Sequence, residues 1–218
     1  MKHIHYEDWY WFNDYAWRVN ARKSGLYTHI LRPILSQFNN MLVKHSKVFV
    51  YRFDIRVAGY TEDNKIISDL VRRLKKRIKT YYKTGDISYC WVREQERSKH
   101  QHYHLVFLLD GQKVRHPYQL NKWIAAYSEF FDLKPHWAGY HNVRRDQADY
   151  EMKAQEACYR MSYLAKSRGK GYRPAYTQDY AVSRCLYSLA NSKILMHHQG
   201  KYRCSLNEKE TPNLGLYL

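Results

Sequence analysis

Two histidines spaced one residue apart open an apolar run, Gln101-His102-Tyr103-His104-Leu105-Val106-Phe107-Leu108-Leu109. In a β-strand, side chains two apart share a face, so His102 and His104 project together from backbone positions about 6–7 Å apart. That is close enough for both imidazoles to ligate one ion. Tyr103, Val106 and Leu108 are expected on the opposite, helix-covered face. The segment just upstream, Trp91-Val92-Arg93-Glu94-Gln95-Glu96, reads as the hairpin partner of the histidine strand. In one register Glu94 faces His104 and Glu96 faces His102, which puts both carboxylates on the histidine side. A slip of one residue flips every side chain and brings Gln95 there instead. Glu94 ranks first as third ligand, then Glu96, then Gln95. Two imidazoles and a carboxylate with open positions suit a divalent cation that must also hold substrate oxygens.

A second set lies in Cys158-Tyr159-Arg160-Met161-Ser162-Tyr163-Leu164-Ala165-Lys166. On a helix Tyr159 and Tyr163 are i,i+4 and share a face, and Lys166, three residues on, joins it. A phenol titrates near about pH 10. It becomes a nucleophile when a cation stabilises the phenolate, or when a base or a metal-bound group takes its proton. The alternative for both tyrosines is packing against the sheet.

The elements that must position these residues follow from periodicity. Residues 30–43 keep Ile30, Leu31, Ile34, Phe38 and Leu42 on one helical stripe, with Pro33 in the first turn. Residues 48–57 are β-rich and alternate from Tyr51 onward. Residues 65–83 switch to a helical stripe of Ile66, Leu70, Leu74, Ile78 and Tyr81. Strands at 87–96 and 101–109 form a hairpin. A helix follows Pro117, a short strand is expected at 139–144, and further helices at 147–167 and 179–191. The order β-α-β-β-α-β-α implies an α+β, split βαβ fold: one antiparallel sheet with helices on one face and the other face free for a site.

The chain has 218 residues, with 37 Lys+Arg against 20 Asp+Glu, for a net charge of +17. That excess is the footprint of a polyanion partner. Residues 65–83 hold eight Lys/Arg and one acid, Asp69; Arg72, Arg73, Lys75, Lys76 and Lys79 are the candidates to hold a nucleic-acid backbone. The 22 tyrosines suit base stacking as well as packing. No apolar run reaches the length of a membrane span, and the first residues lack a secretory h-region. Cys90, Cys158, Cys185 and Cys204 are scattered without a zinc or disulfide spacing, so a reducing cytoplasm is expected.

Together, a His-hydrophobic-His strand, a carboxylate on the preceding strand, and a helical tyrosine with a lysine three residues on resemble the HUH endonucleases. The phage initiators of that superfamily carry Tyr-x-x-x-Tyr-x-x-Lys, matched by Tyr159, Tyr163 and Lys166. The segments WVRE, HYHLVFLL and CYRMSYLAK resemble, more narrowly, an inovirus-type replication protein family of phages and prophages. The resemblance covers residues 48–170. It implies an HUH nuclease core there, between an aromatic-rich, partly helical extension (1–47) and a basic one (171–218). It also implies metal-dependent nicking of single-stranded or nicked-origin DNA to start rolling-circle replication. His102, His104 and Glu94 would hold Mg²⁺ or Mn²⁺, and Tyr163 would become 5′-phosphotyrosyl, assisted by Lys166. Ser162 stands where a lysine paired with Tyr159 would be, which favours Tyr163 as the principal nucleophile and leaves Tyr159 as a second nucleophile or a packing residue. No phosphate-binding GxxxxGK[ST] loop is present, so strand separation would fall to host replication proteins or a helicase. Two other readings stay open: a non-catalytic single-strand binder on an RNA-recognition-like sheet, and a related transposase or relaxase.

Overall fold

The computed structural model describes residues 3–95 and 100–184. The chain opens with four short strands, β1 (Ile4–His5), β2 (Trp9–Phe12), β3 (Tyr15–Arg18) and β4 (Leu26–Tyr27). Then come α1 (Thr28–Lys44), β5 (Lys47–Val57), α2 (Lys65–Tyr82), β6 (Ile87–Glu94), β7 (His102–Asp110), α3 (Tyr118–Phe130), β8 (Leu133–Arg144) and α4 (Tyr150–Ser162). A 3-10 turn (Tyr163–Ala165) and β9 (Tyr180–Val182) complete it. β1 pairs with β4 and β2 with β3; the main sheet is antiparallel throughout, in the order β8-β5-β7-β6-β9.

The central strands β5 and β7, and most of β6, are buried on both faces, which is why they read as nearly continuous apolar runs rather than a clean alternation. Odd-numbered residues of β5 and β7 (Phe49, Phe53, Leu105, Phe107) pack under α2 and α3, against Leu70, Leu74, Trp123 and Ile124. Even-numbered residues (Val48, Val50, Cys90, Val92, Val106, Leu108) pack under α1 and α4, against Ile34, Phe38, Ala157 and Met161. The expectation of helices on one face alone is therefore corrected. Val106 and Leu108 likewise lie on the histidine face, as the two-residue period requires, not opposite it.

Along each central strand the even positions turn from apolar to polar at one level. They run Val48, Val50, then Arg52 and Asp54 on β5; Leu108, Val106, then His104 and His102 on β7; Cys90, Val92, then Glu94 on β6. The apolar ends lie beneath α1 and α4, and the polar ends gather at one end of the sheet, where Arg52 borders the groove that Tyr163 lines.

Several boundaries differ from the sequence expectation. α1 starts earlier, so Pro33 falls inside it. Proline donates no N–H to the carbonyl four residues back, and that carbonyl, of His29, accepts instead from the Tyr180 hydroxyl at 3.1 Å. The strand expected at 139–144 runs from Leu133, with an irregularity opposite Arg52/Phe53. There Gly139 takes φ +106, a conformation L side chains rarely adopt. The helix expected at 147–167 is shorter, and Tyr163 to Ala165 tighten into the 3-10 turn. Residues 180–182 pair with β6 as a strand, not a helix; the rest of that expected helix, from 185 on, lies outside the described residues. Cys90 and Cys158 are buried free thiols; Cys185 and Cys204 lie outside the described residues. Among the described residues no helix is long and apolar enough to cross a membrane.

Candidate metal centre and tyrosine cleft

The β6–β7 register places Glu94 opposite His102 and Val92 opposite His104. This corrects the expected pairing by two residues. An even shift leaves every side chain on its face, so Glu94 still shares the histidine side. Glu96 lies outside the described residues, and Gln95 follows the strand with its backbone N–H donating to the Gly169 carbonyl at 2.8 Å.

Glu94, His102 and His104 each offer a ligand atom, all within 4.8 Å of one another. Oε2 of Glu94 is 3.0 Å from His104 Nε2 and 3.4 Å from His102 Nε2, and the two imidazoles stand nearly perpendicular, 87° apart. β5 contributes what local sequence reading missed. Asp54 pairs across the sheet with His104, and its Oδ1 lies 2.8 Å from His104 Nδ1. A carboxylate on Nδ1 fixes the ring and directs Nε2 towards a metal. The donor set, two imidazole nitrogens and a carboxylate oxygen with an outer carboxylate behind one histidine, fits a divalent ion with open positions.

The electrostatics suit that reading. Burial by itself would raise the Glu94 carboxyl, but hydrogen bonds from His102 and His104 and the charge of Lys170 hold it well below the ordinary carboxylate range. Lys170, buried between Gly169 and Gly171, reaches Glu94 Oε1 at 2.7 Å and leaves Oε2 to the histidines. Burial opposes charging of His104, yet Asp54 and Glu94 on its two sides raise it above the usual histidine value. Protonation of His104 is thus favoured by the carboxylates on its two sides, and a metal at Nε2 would compete with that proton. Asp54 is driven down, against burial, by His104 and Arg52.

Tyr163 lies beside this cluster. Its ring meets His104 edge-on with centroids 5.2 Å apart, and the Arg52 guanidinium carbon is 4.2 Å from its centroid. Burial, and next the charge of Glu94, raise the phenol, while Arg52 opposes them; at neutral pH the hydroxyl keeps its proton. Tyr159 is farther along the same groove, its ring 5.2 Å from the Arg18 guanidinium carbon. The groove encloses about 770 Å³ and is lined by Arg18, Arg52, Tyr159, Arg160 and Tyr163 among others. Lys166 Nζ is 5.7 Å from the Tyr163 centroid and donates to the Arg22 carbonyl at 2.7 Å. Arg52 is therefore the closer cation to the ring.

Arg72, Arg73, Lys75, Lys76 and Lys79 are not part of this cleft. They lie on α2, which packs on the odd-numbered face, across the sheet from the metal cluster.

The model of the YagK/YfjJ C-terminal domain family matches residues 13–137, more than half of the chain. The chain belongs to this family. The YagK/YfjJ segment contains Asp54, Glu94, His102 and His104, and ends inside β8, before the tyrosine helix. No curated protein and no solved structure matches the chain.

Proposed function

We propose that this YagK/YfjJ-family protein is a metal-dependent DNA-nicking and strand-transfer endonuclease of the HUH type, starting rolling-circle replication of a phage or mobile element. The observation that carries the proposal is the junction of two sets distant in sequence: the Glu94/His102/His104 cluster and Tyr163, brought ring to ring with His104. The order β8-β5-β7-β6, with α2 and α3 as the crossovers, supports the split βαβ type.

His102, His104 and Glu94 would hold Mg²⁺ or Mn²⁺, which supplies Lewis-acid stabilisation of charge on the scissile phosphate. Arg18, Arg52 and Arg160 line the groove and hold the backbone of a single strand. The Tyr163 oxygen attacks phosphorus in line, the P–O3′ bond breaks, and a 5′-phosphotyrosine forms. The phenol proton is balanced by the proton gained on the departing 3′ oxygen. Arg52, over the ring, favours the phenolate as that proton leaves. Lys166 neighbours the ring and the phosphate path, and Tyr159 stands where a second acceptor would be needed for strand transfer. The phosphodiester energy is conserved, so the 3′-OH primes synthesis and the step reverses without ATP. Host replication proteins or a helicase would separate the strands, and the setting is the cytoplasm.

The test is cleavage of circular single-stranded DNA by the full chain. Mn²⁺ supports nicking and EDTA abolishes it; nicking of equal rate in EDTA would remove His102, His104 and Glu94 from their role.

A further inference from the structure

A row of exposed positive charge lies away from the cleft, and the nicking reaction leaves it unused. α2 buries Leu70, Leu74 and Ile78 against the odd-numbered sheet face and turns Arg72, Arg73, Lys76, Arg77 and Lys79 to solvent. With α3 it forms a groove of about 750 Å³. The metal cluster and Tyr163 lie across the sheet from it. We infer that the α2–α3 groove is a second DNA site, one that takes a duplex by its phosphates while a single strand occupies the tyrosine cleft.

Three observations carry this. First, the charge is in excess: the one acid of the helix, Asp69, offsets Arg72 alone, at 3.0 Å, and the α3 wall of the groove offers Gln119, Trp123 and Tyr127. Cations recur on successive turns of an 18-residue helix, about 5.4 Å apart along its axis, a row that can follow a phosphate backbone. Second, the groove's large ring is closed, and of the rings that line it only Tyr81, at 60%, is widely exposed. Trp123 is 6% exposed, and Tyr81 and Tyr82 both meet it edge-on. Single-strand binders stack successive bases on a series of open aromatic faces; this groove sets one such ring beside four cations, Arg72, Arg73, Lys76 and Arg77, and so presents mainly charge to a backbone. Third, the sheet separates the two surfaces, so each can be filled without displacing the other. A protein that opens one strand at a duplex origin needs both contacts.

This inference extends the proposed reaction, and its test does not depend on cleavage. Binding of a short labelled duplex is measured by fluorescence anisotropy across a potassium chloride series, for the full chain and for the triple variant Arg73→Ala/Lys76→Ala/Lys79→Ala. All three positions are exposed, and thermal melting checks that the fold is kept. Each phosphate contact contributes about 0.9 to the slope of log affinity against log salt, so the slope should fall by about 2–3. Arg18→Ala, in the tyrosine cleft, should leave the duplex slope unchanged. An unchanged slope in the triple variant, or an equal fall in Arg18→Ala, would overturn the inference. Retained single-strand nicking by the triple variant shows that the two surfaces act separately; if the wild type nicks nothing, the duplex result stands and the reaction alone is refuted.

Discussion

Asp54→Asn keeps the shape of the residue behind His104 and removes its charge. In the wild type, Asp54 Oδ1 lies 2.8 Å from Nδ1, so that nitrogen carries the proton and Nε2 is left for metal. In the variant three effects have the same sign. The amide oxygen is a weaker acceptor, so the ring is held less firmly and the imidazole is less basic. The amide NH₂ favours the opposite tautomer, with the proton on Nε2. A negative charge one imidazole ring away from a divalent ion is lost, roughly 1 kcal/mol even at the permittivity of water. Arg52, 3.3 Å from Asp54, keeps its own charge close by without its partner. Outer partners of this kind typically contribute 10- to 100-fold in metal affinity, or about 1.4–2.7 kcal/mol. Isothermal titration of the full chain with Mn²⁺ should give one ion per chain, with a dissociation constant at least 10-fold higher in Asp54→Asn. Equal affinities for the two proteins would refute the orientation argument.

Lys170→Met should destabilise the metal-free protein by about 3–5 kcal/mol in urea unfolding, because it leaves Oε1 of the buried Glu94 carboxylate without its lysine partner. Saturating Mn²⁺ should recover much of that loss, and an equal loss with and without the ion would contradict the placement of both. Phe38→Ala, at a fully buried position of α1, should cost about 3–5 kcal/mol; a cost below about 1 kcal/mol would show that α1 is not part of the sheet's core.

The clustering of Glu94, His102 and His104 was legible because the two-residue period of a strand survives an error in register: Glu94 stayed with the two histidines although its partner changed. Asp54 was visible as a polar residue in an alternating strand, but its meeting with His104 joins strands separated by a helix and a hairpin, which no local pattern records. Lys170 carries no periodic signal at all, lying in a turn between two glycines. The cover of the second sheet face was written in the paired runs Val48–Val50 and Val106–Leu108, whose even positions are too apolar to face water. The side on which α2 packs could not be read from the helix, since its charge pattern fixes which stripe faces solvent and not which face of the sheet lies under it. That placement sets the basic row on the surface opposite the cleft.

The most direct test of the central claim is covalent capture on end-labelled single-stranded DNA in Mn²⁺, resolved by denaturing electrophoresis and mapped by mass spectrometry. The strand segment on the 3′ side of the nick should stay attached to Tyr163, the 5′ segment should be released with a free 3′-OH, and Tyr163→Phe should form no such adduct while Tyr159→Phe forms less. Attachment of the 5′ segment, or an adduct undiminished in Tyr163→Phe, would contradict the account.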